Sequence, residues 1–92
     1  MAKNNGKIHD SKITAELRAR GESGTVVRMM DSGQLSRDPA TLTSAAAAAN
    51  DLGRTGKAEQ LNKEAYAKSG GKPSQHQKNS FNRTMAEKRK KG

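Results

Sequence analysis

Reactive chemistry in this chain would have to come from histidine or from clustered cations. His9 and His76 stand alone, with no second ligand at a spacing that makes a metal site, and both read as solvated surface histidines. There is no cysteine, hence no disulfide, no thiolate metal ligand and no thiol nucleophile. No Ser-His-Asp arrangement, no paired carboxylates in an apolar setting and no phosphate-cradling glycine loop can be found. The glycines fall at expected element ends, where they act as punctuation. These readings imply no enzyme, no metal and no cofactor.

Charge is the remaining signal. The 92 residues carry 18 Lys and Arg against 9 Asp and Glu, a net +9. Residues 72–92 hold Lys72, Lys78, Arg83, Lys88, Arg89, Lys90 and Lys91 against Glu87, so +6 of that +9 lies in this last segment. A basic segment of this kind attracts phosphate backbones through counterion release. Lys78, Arg83, Lys88, Arg89, Lys90 and Lys91 are the candidate phosphate partners, in contact with nucleic acid, a ribosome or an acidic protein. The tetrabasic run Lys88–Lys91 also fits a nuclear-import signal or a tail that charge keeps soluble. Tyr66 and Phe81 are the only aromatics, too few for a base-stacking platform, so such binding would be backbone-directed and weakly sequence-selective.

The elements that must position these cations are helical. Asp38-Pro39 is a helix start, since the Asp oxygen can accept from first-turn amides and proline has no amide to leave unpaired. Leu42, Ala45, Ala49 and Leu52 then share a stripe, Ala45–Ala49 has the best intrinsic helix propensity, and Gly53 closes the helix. A second helix opens at a Thr55 cap, carries the stripe Ala58, Leu61 and Ala65, and ends at Ser69-Gly70-Gly71. The short connection makes an antiparallel hairpin over about residues 38–69, the centre of a small all-α domain spanning 11–71. It is similar to a single tetratricopeptide-type unit at Leu52-Gly53, Ala58 and Ala65. The aromatic positions of that repeat and a second copy are absent, so an ordinary helical hairpin is the preferred reading.

Residues 1–10 are polar and expected to be disordered. A short helix capped at Asp10 or Ser11 should place Ile13 and Leu17 on one face, and a second should carry Val26, Val27, Met29 and Met30. A buried strand is the alternative for that second run. This apolar cluster is the natural cover for the hairpin; the alternative makes Val26, Met29 and Met30 an adaptable partner-binding patch. Phe81 and Met85, four apart, give the basic tail a narrow apolar stripe over a helix of about 79–90, enough to dock onto a partner.

Leu, Ile, Val and Phe supply 10 of the 92 residues, about 11%. That is below the roughly 20% that separates well-packed domains from disorder-prone chains of high charge. A marginal core with frayed ends follows, completed by a partner or by self-association. The opening MAKNNGKIHD lacks the apolar centre of a signal peptide and no window reaches the length of a membrane span. A cytoplasmic or nuclear protein without membrane contact is therefore expected.

Two stretches also carry a family resemblance. Gly33-Gln34-Leu35-Ser36-Arg37-Asp38-Pro39-Ala40 leading to Ser44-Ala45, and Ala67-Lys68-Ser69-Gly70-Gly71 followed by Lys78-Asn79-Ser80-Phe81, resemble the repeats of seed maturation proteins of the late-embryogenesis-abundant type. The spacing after the acidic-Ala opening differs by one, and the arginine after Ser-Phe is displaced to Arg83. The resemblance implies a hydrophilic stress protein that gains helix on drying and has no active site.

Overall fold

Asp38 fixes the start of the central helix, as its spacing to Pro39 predicts. Its carboxylate accepts from the Thr41 amide at 3.0 Å, and Pro39 occupies the first turn. At the other end Gly53 takes φ 77°, and the Arg54 amide returns to the Ala49 carbonyl at 2.9 Å. An αL residue that folds the chain back on the last turn in this way is strongly favoured to be glycine. Between these caps runs one helix of a computed structural model that describes residues 2–91, with side chains described for residues 10–90.

The described residues form five helices and no strand: α1 (Ala2–Ala19), α2 (Ser23–Asp31), α3 (Pro39–Asp51), α4 (Thr55–Lys68) and α5 (Gln75–Lys91). The fold is all-α, with α3 and α4 as the antiparallel hairpin. The expectation of a disordered stretch at 1–10 falls mostly outside the described set, on Met1 and the side chains of residues 2–9, His9 included, while α1 begins at Ala2, ahead of the start expected at Asp10 or Ser11. The radius of gyration, 12.4 Å, matches the roughly 12 Å of a compact domain of this length.

Helix α3 packs against all four others, with α1 and α2 paired on one part of its circumference and α4 and α5 on another. Every residue from Thr41 to Asn50 is buried. A helix buried on all sides needs small side chains so that neighbours can approach, and the run Ala45–Ala49 supplies them. Val26, Val27, Met30, Leu35, Leu42 and Leu61 fill the remaining space and join the alanines in one cluster.

Two stripe positions differ from expectation. Leu52 caps α3 instead of lying within it and is 43% exposed; Ile13 is 39% exposed, while Thr14 beside it is buried. Thr14 satisfies its hydroxyl by donating to the Ser11 carbonyl at 2.7 Å, so its methyl group can face α3 at no polar cost. Thr55 is the first helical residue of α4, and Arg54 precedes it without a side-chain cap. The return of the Arg54 amide to α3 completes the turn one residue early.

Val26 and Met30, the core of the expected partner patch, are 0% and 1% exposed. Both are taken up by the chain's own core, because α2 turns its apolar face onto α3, and they are not available to a partner. Met29 is half-buried at the edge of the same cluster.

Candidate nucleic-acid interface

Helix α5 carries all six basic candidates, and it begins earlier than its apolar stripe implies. Ser74 Oγ accepts from the Gln77 amide at 3.2 Å, and Gln77 Oε1 accepts from the Ser74 amide at 3.2 Å. This reciprocal capping box satisfies two first-turn donors. Its Ser-x-x-Gln signature stands in the sequence at 74–77, so the start was legible there.

The inner face of α5 is polar. Gln77, Ser80 and Thr84 are buried, whereas Phe81 and Met85 are only half-buried. Thr84 Oγ1 accepts from Asn50 Nδ2 of α3 at 2.9 Å and from Asn62 Nδ2 of α4 at 2.8 Å, and donates to the Ser80 carbonyl at 3.0 Å. Ser80 Oγ in turn donates to Asn62 Oδ1 at 2.9 Å. Three helices are thus joined by a buried hydrogen-bonded network in which each bond also prevents an unpaired buried group. Asn50 Oδ1 is the buried side-chain atom left without a partner among the described residues. Phe81 adds a tilted contact with Tyr66, ring centroids 5.5 Å apart, so the two aromatics pack on one another. Phe81 therefore docks α5 onto α4, which takes up part of the stripe expected to meet a partner, and Met85 is half-buried.

The six basic candidates divide into two groups. Arg83 Nη2 donates to Asp51 Oδ1 at 3.0 Å and Lys88 Nζ to Glu59 Oε1 at 3.0 Å, so both are paired within the fold. Lys78, Arg89 and Lys90 are exposed and make no ion pair among the described residues. The Lys91 side chain lies outside the described residues. Lys78 and Arg89 stand about three turns apart and so share one row on the outer face of α5. Arg83 and Lys90, about two turns apart, form a second row, roughly 100–140° round the helix from the first. Lys88, Arg89 and Lys90 also lie in the last turn of α5, where cations complement the carbonyl end of the helix.

Asp51 is the strongest electrostatic feature near this surface, and local sequence patterns do not reveal it. Besides Arg83 it accepts from Arg18 Nε at 2.9 Å and from Ser23 Oγ at 2.7 Å, so one carboxylate at the end of α3 binds α1, α2 and α5. Partial burial pushes its pKa up, but the bonds from Arg18, Ser23 and Arg83 outweigh this and hold it at about 2. On α4, bonds from Lys88 and Lys63 likewise lower the Glu59 pKa. Arg37 and Glu64 form a two-bond pair at 2.7 Å each, which closes the α2–α3 connection against α4.

The chemistry this arrangement offers is charge and hydrogen-bond donation. Two recesses among the described residues are open grooves, one lined by Arg37, Asp38, Pro39 and Lys68 and the other by Arg28, Asp31, Ser32 and Gln34. In the first, the Arg37 guanidinium is engaged by Glu64 and Lys68 Nζ donates to the Arg37 carbonyl at 2.8 Å. No group of three or more His, Cys, Asp or Glu among the described residues could hold a metal ion, and no helix there is long and apolar enough to cross a membrane. The chain matches no family model, no curated protein and no solved structure.

Proposed function

We propose that this is a non-enzymatic nucleic-acid-binding protein whose contact surface is the outer face of α5. Lys78, Arg89 and Lys90 serve as phosphate partners there. The observation that carries this reading is the division among the cations: Arg83 and Lys88 are held by Asp51 and Glu59, while Lys78, Arg89 and Lys90 stay exposed without an ion pair. A helix anchored by its inner polar network holds in place the backbone from which these three side chains project, so the helix itself needs no ordering when phosphates replace their counterions. Recognition is of the backbone, because Tyr66 and Phe81, the only aromatics, pack against each other in a tilted contact.

The test is a gel-shift series on a short DNA duplex in rising salt. Each phosphate contact steepens the log–log slope by about 0.9, so K78Q/R89Q/K90Q should be shallower than the parent by about 2.7. Absence of binding at low salt, or an unchanged slope in the triple variant, overturns the proposal. Competition by poly-glutamate at equal charge would reassign the surface to an acidic protein partner. A broad, non-cooperative melt with helix gained on drying would replace it with the protective role that the seed-maturation resemblance implies.

A further inference from the structure

Two arginines from opposite ends of the chain converge on one carboxylate. Arg18 uses Nε and Nη2 on Asp51, at 2.9 and 3.3 Å, and Arg83 uses Nη2 at 3.0 Å. Neither residue spends its whole fork: Arg18 Nη1 and the Nε and Nη1 of Arg83 are not engaged by Asp51. The side chains are 31% and 41% exposed, so both remain in part accessible. One negative charge shared by two positive ones leaves the cluster cationic. Arg20 and Arg54, exposed and without an ion pair among the described residues, follow Arg18 and Asp51 by two and three positions, with Glu16 and Glu22 as the acids on either side of Arg18 and Arg20.

We infer that Arg18 and Arg83, held side by side by Asp51, form a second phosphate clamp, which extends the nucleic-acid surface from α5 across to the end of α1. This rests on the reading of α5 as a nucleic-acid-binding helix and adds to it a place where one backbone phosphate is gripped by two guanidinium groups. Planar guanidinium forks match phosphate oxygens two at a time, which the point charge of lysine cannot do. The carboxylate matters as much as the cations. By fixing both forks before the ligand arrives it removes the side-chain ordering that binding would otherwise require. Lys90, about two turns along α5 from Arg83 in the same row, then lies where a neighbouring phosphate of a continuous strand would pass. A polymer of phosphodiesters engages both places at once; a free phosphate engages only the clamp.

The experiment uses the full chain and the same duplex and salt series. R18Q/R83Q should lower the log–log slope by about 1.8, two contacts at 0.9 each. K12Q/K63Q, which removes the same charge from α1 and α4 away from the clamp, should leave the slope within error. R18K/R83K keeps both charges and the fold should it prove that R18Q/R83Q does not fold. It should keep the slope and bind roughly two- to tenfold more weakly, the worth of about one hydrogen bond lost. Equal effects of the arginine and lysine pairs, or unaltered affinity in R18K/R83K, overturn the clamp. A parent that binds, with normal sensitivity to R18Q/R83Q but none to K78Q/R89Q/K90Q, overturns the α5 reading and leaves the clamp standing. Absence of any binding by the parent overturns both.

Discussion

Asn62 of α4 donates its amide to Thr84 of α5 at 2.8 Å in the interior of the protein, with exposures of 1% and 0%. The same threonine oxygen takes the amide of Asn50, and the Asn62 carbonyl takes the hydroxyl of Ser80. The α3–α4–α5 junction is therefore specified by direction as well as by apolar burial. Hydrogen bonds demand one register of α5, where a greasy face would accept several.

The members of this network should differ in cost. Thr84→Val keeps the shape but leaves two buried amides without an acceptor, and should destabilise by about 2–4 kcal/mol. Asn62→Leu strands the Ser80 hydroxyl and should cost about 2–3 kcal/mol. Asn50→Leu removes the group that, among the described residues, has a buried side-chain carbonyl without a partner, and should cost less than about 1.5 kcal/mol. Chemical denaturation orders the three; the reverse order of the two asparagines contradicts the network as described.

Enlarging α3 should be felt on its buried sides. Ala48→Leu adds volume where the residue is wholly buried and should cost about 1–3 kcal/mol or more by forcing a neighbour outward. Ala40→Leu, exposed in the first turn of the same helix, should stay within about 0.5 kcal/mol. Thermal melts of the two variants make the comparison at equal helix propensity.

Asp38→Ala should lower stability by about 1–2 kcal/mol, since the carboxylate caps α3 and also holds the hydroxyls of Ser36 and Thr41. Burial pushes its pKa up, but these bonds prevail and leave it lowered. Asp38→Asn keeps the capping acceptor and should recover most of the loss, as a denaturation midpoint would report.

Acid should weaken the Asp51 hub in a defined window. Its carboxyl sits at about 2 in the fold against an ordinary 3.8, so its stabilisation is fully present above about pH 4 and is lost as pH falls towards 2. Solvent screening of a partly exposed group reduces the effect to about 1 kcal/mol. Glu64, lowered first by its bond from Arg37, adds to the same acid limb. A pH series of urea melts should therefore show a shallower acid limb in Asp51→Asn than in the parent. Identical slopes would mean that Asp51 is not held by its three donors in solution.

The helical hairpin was readable because its signals are local. Asp38-Pro39 and Gly53 mark both ends of α3 within a few residues, and each cap depends on backbone amides beside it. The inward face of α3 was not readable, since stripe counting assumes one wet side and this helix has none between Thr41 and Asn50. Thr43 illustrates the point: it is buried because its hydroxyl donates to the Pro39 carbonyl at 2.7 Å, a local bond that removes its need for water. The start of α5 was written at Ser74 and Gln77 but is easily overlooked in so polar a segment. The Asp51 hub and the Asn50–Asn62–Thr84 network join residues some twenty to thirty-five positions apart, and no spacing rule reaches across such a span.

The enclosure of α3 has an outcome for how the chain tolerates change. An ordinary surface helix shows a rhythm when each position is varied in turn, permissive on the wet side and strict on the dry one. A saturation scan across 41–50 should show no such rhythm, only a plateau of intolerance to bulk. Residue choice there answers to a different neighbour at every step, which leaves this low-complexity string of alanines as tightly specified as any larger side chain in the molecule.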